Sequence, residues 1–180
     1  MTQTHSAASE GRAAWRRMRD GDLAAIAAIA EAVHPNLAER PEVFAEKLGL
    51  YPDGCFVLAG GGGGADGAVL GYAFAHPWRL NAVPKLDAFL SALPADADCL
   101  FLHDVAVARQ ARGQSASGAL VARLVELAER HGLTPLALAA VYGTGRHWAR
   151  LGFALAGNDD IAAQLKCYGD AQYMVRRLDG

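Results

Sequence analysis

The sequence predicts a single α/β domain built on a mixed sheet with helices on both faces. Three observations carry this. Apolar runs of strand length recur at 55–59, 68–75, 100–107, 136–141 and 153–156, and segments of helical spacing lie among them. Clusters of glycine, proline and aspartate punctuate the chain between them. Its 180 residues amount to one domain of ordinary size, and no internal repeat or linker divides them.

Taken in order, residues 1–13 are polar and lack the apolar stretch of a signal peptide, so a loose tail is expected before a domain over 14–180. Trp15-Arg16-Arg17-Met18-Arg19 alternates large and charged residues as an edge strand does. Asp20-Gly21-Asp22 then offers capping groups to a helix marked by Leu23, Ile26 and Ile29, which His34-Pro35 ends. A second helix is predicted over 41–50, with Val43, Phe44 and Leu48 on one side, closed by the turn Tyr51-Pro52-Asp53-Gly54. The strands at 55–59 and 68–75 flank five consecutive glycines, Gly60 to Gly64. No Lys-Ser/Thr and no helix follow those glycines, so they read as a flexible hairpin loop rather than a phosphate loop.

His76-Pro77-Trp78 is expected to break the strand, and a short helix is expected near 86–93. The strongest strand, at 100–107, leads through a basic turn into a helix over 115–130 with a wide stripe of Leu120, Val121, Leu124, Val125 and Leu127. His131-Gly132 closes that helix. A strand at 136–141, a short helix at 145–151 and strands at 153–156 and 172–178 complete the order.

Composition excludes several classes. A net charge of −2 does not steer the chain towards nucleic acid or an anionic membrane. No apolar run approaches the ~18–20 residues of a membrane span. Cys55, Cys99 and Cys167 lack metal spacing and read as small buried residues in a reducing compartment, so the cytoplasm is the expected location. No metal is expected.

The chemistry concentrates in strand, turn and helix from 100 to 130. A helix start aims unpaired N–H groups and a partial positive charge at one point, where an anion can sit if the turn is small. Here the turn runs Arg109-Gln110-Ala111-Arg112-Gly113-Gln114-Ser115-Ala116-Ser117-Gly118. From Val107 to Leu120 it resembles the acetyl-CoA-binding motif of the GNAT superfamily (Gln/Arg, two residues, Gly, one residue, Gly/Ala). The segments Arg17 to Leu23 and Gly145-Arg146-His147-Trp148-Ala149-Arg150-Leu151-Gly152-Phe153 resemble the family's first strand and late helix. Within it, Phe101-Leu102-His103-Asp104-Val105-Ala106-Val107 and the insertion after Trp78 look most like arylalkylamine N-acetyltransferases.

The resemblance implies a mostly antiparallel central sheet splayed at the cofactor site, with acetyl-CoA as co-substrate and a small amine as acceptor. The backbone of Val105, Ala106 and Val107 would hold the pantetheine arm, and N–H groups of Arg112, Gly113, Gln114, Ser115, Ala116, Ser117 and Gly118 the pyrophosphate. Two positions depart from the pattern. Ser115 and Ser117 replace motif glycines, and left-handed backbone at either would cost about 1 kcal/mol or more. Trp148 stands where relatives carry a tyrosine acid; it can pack against the cofactor but has no proton to give.

Tyr142, Tyr168 and Tyr173 remain as acids, as does solvent. Tyr168 would reach the acceptor pocket only if its segment folds over it, and a plain turn before the last strand is the preferred reading. His103 matches a histidine of the arylalkylamine group and is the expected base, sharing a face with Val105 and Val107 while Asp104 points away; a strand histidine with a structural role is the other reading. The remaining histidines, at 5, 34, 76, 131 and 147, read as structural or exposed. Phe74, Trp78 and Leu80 are candidates for an apolar acceptor pocket, although Trp78 also fits the core. A CoA-binding sensor without catalysis is the alternative function, and a homodimer is compatible with the sequence.

Overall fold

The computed structural model describes residues 12–63, 67–113 and 115–178, so most of the predicted tail and Gln114 lie outside the described residues. The elements follow the sequence closely. They are β1 Ala14–Arg17, α1 Leu23–Val33, α2 Pro41–Leu50, β2 Cys55–Ala59, a helical turn α3 Gly60–Gly63, β3 Val69–Trp78 and β4 Cys99–Val107. Then come α4 Ala116–His131, β5 Leu136–Ala140, α5 Gly145–Ala149, β6 Ala154–Leu155, α6 Asp159–Gln164 and β7 Gln172–Arg176. The strands form one sheet in the order β1-β2-β3-β4-β5-β7-β6. Among the described residues only β4 and β5 run parallel.

Alternation along the strands feeds two cores. On one face Leu100, Leu102, Leu136 and Leu138 meet Leu120, Leu124 and Leu127 of α4 and Trp148 of α5. On the other, Val57, Tyr72 and Phe74 meet Ile26 of α1 with Phe44 and Leu48 of α2. Further along that face Phe101 and Tyr173 meet Ile161 of α6. Burying each such side chain contributes roughly 1.5–3 kcal/mol, so the stripe on α4 fixes the helix whose first turn opens the site. Gly132, at φ +66°, ends it as expected. Among the described residues no helix is long and apolar enough to cross a membrane.

Some details depart from expectation. His76-Pro77-Trp78 does not break β3, which pairs with β4 through Trp78. The β2 partnership ends at Phe74, so β3 has a single neighbour beyond that point, and an edge accommodates a proline that donates no hydrogen bond. No helix forms over 86–93. The backbone N–H of Asp87 is taken by the Glu39 carboxylate, and those of Leu90 and Ser91 by Glu46. Asp87 and Ser91 also adopt positive φ, which a helix forbids. Helix α6 went unread, although Asn158 accepts the Ile161 N–H ahead of Asp159 and Asp160, a recognisable N-terminal cap. Cys55 and Cys99 are buried as expected, but Cys167 is exposed.

Candidate functional site

The site exists because two parallel strands part company. β4 and β5 are paired only from Leu100 with Leu136 to Leu102 with Leu138. Beyond that they diverge, and a cleft of ≈ 1030 Å³ opens between them. The first turn of α4 closes one end, with Arg112, Gly113, Ser115, Ala116, Ser117 and Gly118 on its wall. Val105, Ala106 and Val107 line its floor, and the buried Trp148 packs in from α5. The other end is polar, lined by His34, Glu39, His103, Asp104 and Tyr142.

At the first end a tight turn leads into the start of α4. A short 3-10 turn, Arg109–Ala111, brings the chain round, and Arg112 donates through Nε to the Val107 carbonyl at 3.1 Å. Gly113 has φ +81°, with nothing within 4 Å of where a Cβ would lie. The two serines differ. Ser115 is left-handed at φ 57°, ψ 21°, whereas Ser117 lies inside α4. The strain expected for either serine therefore falls on Ser115 alone.

The polar end turns on a bulge. Phe74 pairs with Asp104 and Ala75 with Leu102, which leaves His103 as the extra residue of β4. The bulge reverses the alternation, so the predicted face-sharing of His103 with Val105 and Val107 does not hold. His103 and Asp104 instead both meet groups from the α1–α2 side. His103 Nε2 lies 3.2 Å from Glu39 Oε1, and its Nδ1 lies 3.1 Å from His76 Nε2. Asp104 accepts the Tyr72 hydroxyl at 2.7 Å and faces His34 Nε2 at 3.2 Å.

The partners fix the protons on His103. His76 Nδ1 faces the Pro77 carbonyl, which can only accept, so Nδ1 donates. Burial, then the neighbouring His103, pulls the His76 pKa down to about 3, so its ring is neutral and Nε2 must accept from His103. The Glu39 carboxyl is opposed by burial, yet His103 and Lys47 together hold it down to about 2. Ionised, it accepts from the other nitrogen of His103. Both ring nitrogens of His103 are therefore already engaged, by His76 and by Glu39, and neither is free for a substrate proton. The side chains of Lys47, Glu39 and His103 are only 1–3% exposed, so this is a buried charge cluster. Burial pulls the Lys47 ammonium below the usual lysine value, an effect Glu39 only partly offsets.

The tyrosines separate by their partners. Tyr168 is buried, lines the cleft and gives its hydroxyl proton to the Pro84 carbonyl at 2.7 Å; burial raises its pKa. Tyr142, at the end of β5, is 49% exposed, holds a positive φ of 52° and stacks on His34 with centroids 5.6 Å apart. Burial raises its pKa too, while a backbone bond from Asn36 lowers it. Tyr173 sits in the core, its hydroxyl bonded to the Asn81 N–H. None of Phe74, Trp78 or Leu80 lines the cleft; all three pack into the hydrophobic cores.

Sequence reading passed over His34 and Glu39, because a helix-ending histidine and a loop acid carry no local signal. Their roles come from β4 reaching them across the fold. Among the described residues, no group of His, Cys, Asp and Glu is arranged to hold a metal.

Similarity to known proteins is consistent with this geometry. A search of curated proteins finds no match. Among solved structures, a GNAT-like decarboxylase, GphF, in complex with isobutyryl-CoA superposes with a TM-score of 0.70 at 16% identity, covering 92% of this chain and 100% of its own. N-acetylglutamate synthase from Neisseria gonorrhoeae, complexed with coenzyme A and L-arginine, gives 0.66 at 24% identity, covering 95% of this chain and 34% of its own. The ribosomal-protein-S18-alanine N-acetyltransferase of Escherichia coli gives 0.61 at 18% identity, covering 93% and 96%. At these identities the likeness is one of fold. The acetyltransferase (GNAT) family profile, however, matches residues 18–153, most of the domain and the whole turn into α4, and the chain belongs to that family.

Proposed function

We propose that the chain is an acetyl-CoA-dependent N-acetyltransferase that passes acetyl directly to a small primary amine within a ternary complex. One observation carries this reading: a single cleft joins an anion-ready helix start to a carboxylate-lined polar end. A thioester cofactor and an amine fit those two ends in that order.

In this reading the N–H groups at the start of α4 hold the pyrophosphate of acetyl-CoA. The β4 edge at Val105 to Val107 holds the pantetheine arm, with Trp148 packed beside it. The CoA and isobutyryl-CoA bound in the structural neighbours support the cofactor. Asp104 gives the polar end a carboxylate that attracts an ammonium. The ammonium first gives up one proton; the neutral amine nitrogen then bonds to the acetyl carbon as the carbon–sulfur bond breaks, losing a second proton while the thiolate gains one. Tyr142 suits the transfer to the thiolate better than Tyr168, whose proton is already engaged by Pro84. The apolar walls at Leu37 and Leu86 favour an aromatic or alkyl acceptor, in keeping with the arylalkylamine likeness of β4. The cytoplasm is the proposed setting, where free cysteines such as the exposed Cys167 stay reduced.

A CoA-binding sensor is the second reading, favoured by the buried Trp148 in place of a proton donor. Mass spectrometry of a panel of small primary amines incubated with acetyl-CoA separates the two. Acetylated product, with intersecting lines when both substrates are varied, is the expected result. CoA binding with no product on any amine would favour the sensor, and parallel lines would replace the ternary complex with an acyl-enzyme.

A further inference from the structure

We propose that His34, held by Asp104, is the general base of this cleft. The inference rests on the amine acetyltransferase reading. It starts from an unsatisfied atom. His34 is only 8% exposed, and its Nδ1 is buried with no hydrogen-bond partner among the described residues. Leaving such a group unpaired costs about 1–3 kcal/mol, so a site that keeps one is built to satisfy it with something that arrives.

The tautomer is fixed by what surrounds the other nitrogen. Nε2 faces Asp104 Oδ1 at 3.2 Å and the Val105 carbonyl at 3.3 Å, both acceptors. Nε2 therefore carries the hydrogen, and Nδ1 of the neutral ring carries the lone pair. A carboxylate fixing one imidazole nitrogen while the other meets the substrate is the working arrangement of a histidine base. Asp104 is itself held by the Tyr72 hydroxyl, so the pair is anchored in the sheet.

The charged and titratable groups facing His34 are Asp104 from β4, Glu39 from the segment before α2 and Tyr142 from the end of β5. Burial lowers the His34 pKa, but Asp104, the Val105 carbonyl and Glu39 outweigh it and raise it above the usual histidine value. Tyr142, stacked on the imidazole and half exposed, swings aside to admit the amine. The amine's proton then passes to Nδ1 as its nitrogen bonds to the acetyl carbon. The CoA thiolate leaves and takes the Tyr142 proton, and solvent returns the enzyme to its starting state.

Rate profiles against pH, with an acceptor of low pKa such as an aniline, read the enzyme's titration without the substrate's. Wild-type kcat/KM is expected to rise with pH through a limb above the ordinary histidine value. His34→Gln should lose that limb and about 10²-fold or more in rate, with CoA affinity unchanged by calorimetry. Asp104→Asn should move the limb to lower pH, whereas His103→Gln should keep it. An active wild type whose limb survives in His34→Gln would overturn the assignment alone. A wild type inactive on every amine would overturn the parent reading and this inference with it. Nitrogen NMR of the wild type gives a check independent of folding in the variants. His34 should titrate above the free-histidine value with its neutral proton on Nε2, and a neutral ring protonated on Nδ1 would refute the proposal.

Discussion

The two ends of the cleft are made of different things. The end at α4 is built from backbone: a turn of small residues, one glycine at φ +81°, and the N–H groups of a helix start. The end at α1 and α2 is built from side chains that meet only in the folded chain, Glu39 and Lys47 from one segment and His103 and Asp104 from β4. A backbone site tolerates many side chains and is stabilised by the packing of α4. A side-chain site depends on each partner, because a buried charge that loses its counter-charge stays buried. The ends should therefore respond differently to substitution.

The largest expected difference in stability is at Glu39. Glu39→Gln leaves the buried Lys47 ammonium without its counter-charge and gives His103 Nε2 a neutral partner in place of a carboxylate. It should cost about 3–5 kcal/mol in urea unfolding, while the CoA affinity of the folded fraction stays near wild type. A cost below about 1 kcal/mol would show that the cluster is solvated and that the contrast between the ends is false. The same cluster sets an acid limit. The Glu39 pKa is depressed in the fold to about 2, against about 4.3 in an unfolded chain. Its contribution to stability is thus present above pH ~4.3 and is lost as the pH falls towards 2. Unfolding free energies measured over that range should decline more steeply in the wild type than in Glu39→Gln.

These contrasts also explain what could be read beforehand. The α4 turn was legible because backbone sites leave a local signature: Arg112-Gly113 and the small residues beyond them stand together in sequence. The strands and α1, α2 and α4 were legible from periodicity, which tertiary packing reinforced. The polar end was not. A single bulge at His103, invisible in the run Phe101 to Val107, moved that residue off the predicted face and brought it to Glu39. His34 gained its meaning from Asp104, 70 positions away in sequence, which no spacing rule reaches.

The smallest effects sharpen the backbone end. Ser115 is left-handed and Ser117 helical, so one substitution should act with opposite signs at the two positions. Ser115→Gly should stabilise by about 1 kcal/mol through relief of strain. Ser117→Gly should destabilise by up to about 1 kcal/mol, because glycine weakens a helix. Thermal melts that shift the same way for both would mean the turn has a different backbone.

Calorimetric titration of CoA into the wild type and Gly118→Glu tests the central claim, that one end of this cleft is a backbone-built cofactor site. Gly118 lies in the first turn of α4 on the cleft wall, and a Cβ there would find Leu151 no nearer than 3.9 Å, so a side chain can start there without a backbone clash. An acid near a helix start does not weaken the helix, so the variant should fold as well as the wild type. Its carboxylate would oppose the pyrophosphate, a clash of like charges that costs several kcal/mol. The account predicts one CoA per wild-type chain and a loss of at least about 100-fold in affinity in Gly118→Glu. No CoA binding by the wild type, or equal binding by a folded Gly118→Glu, would contradict it.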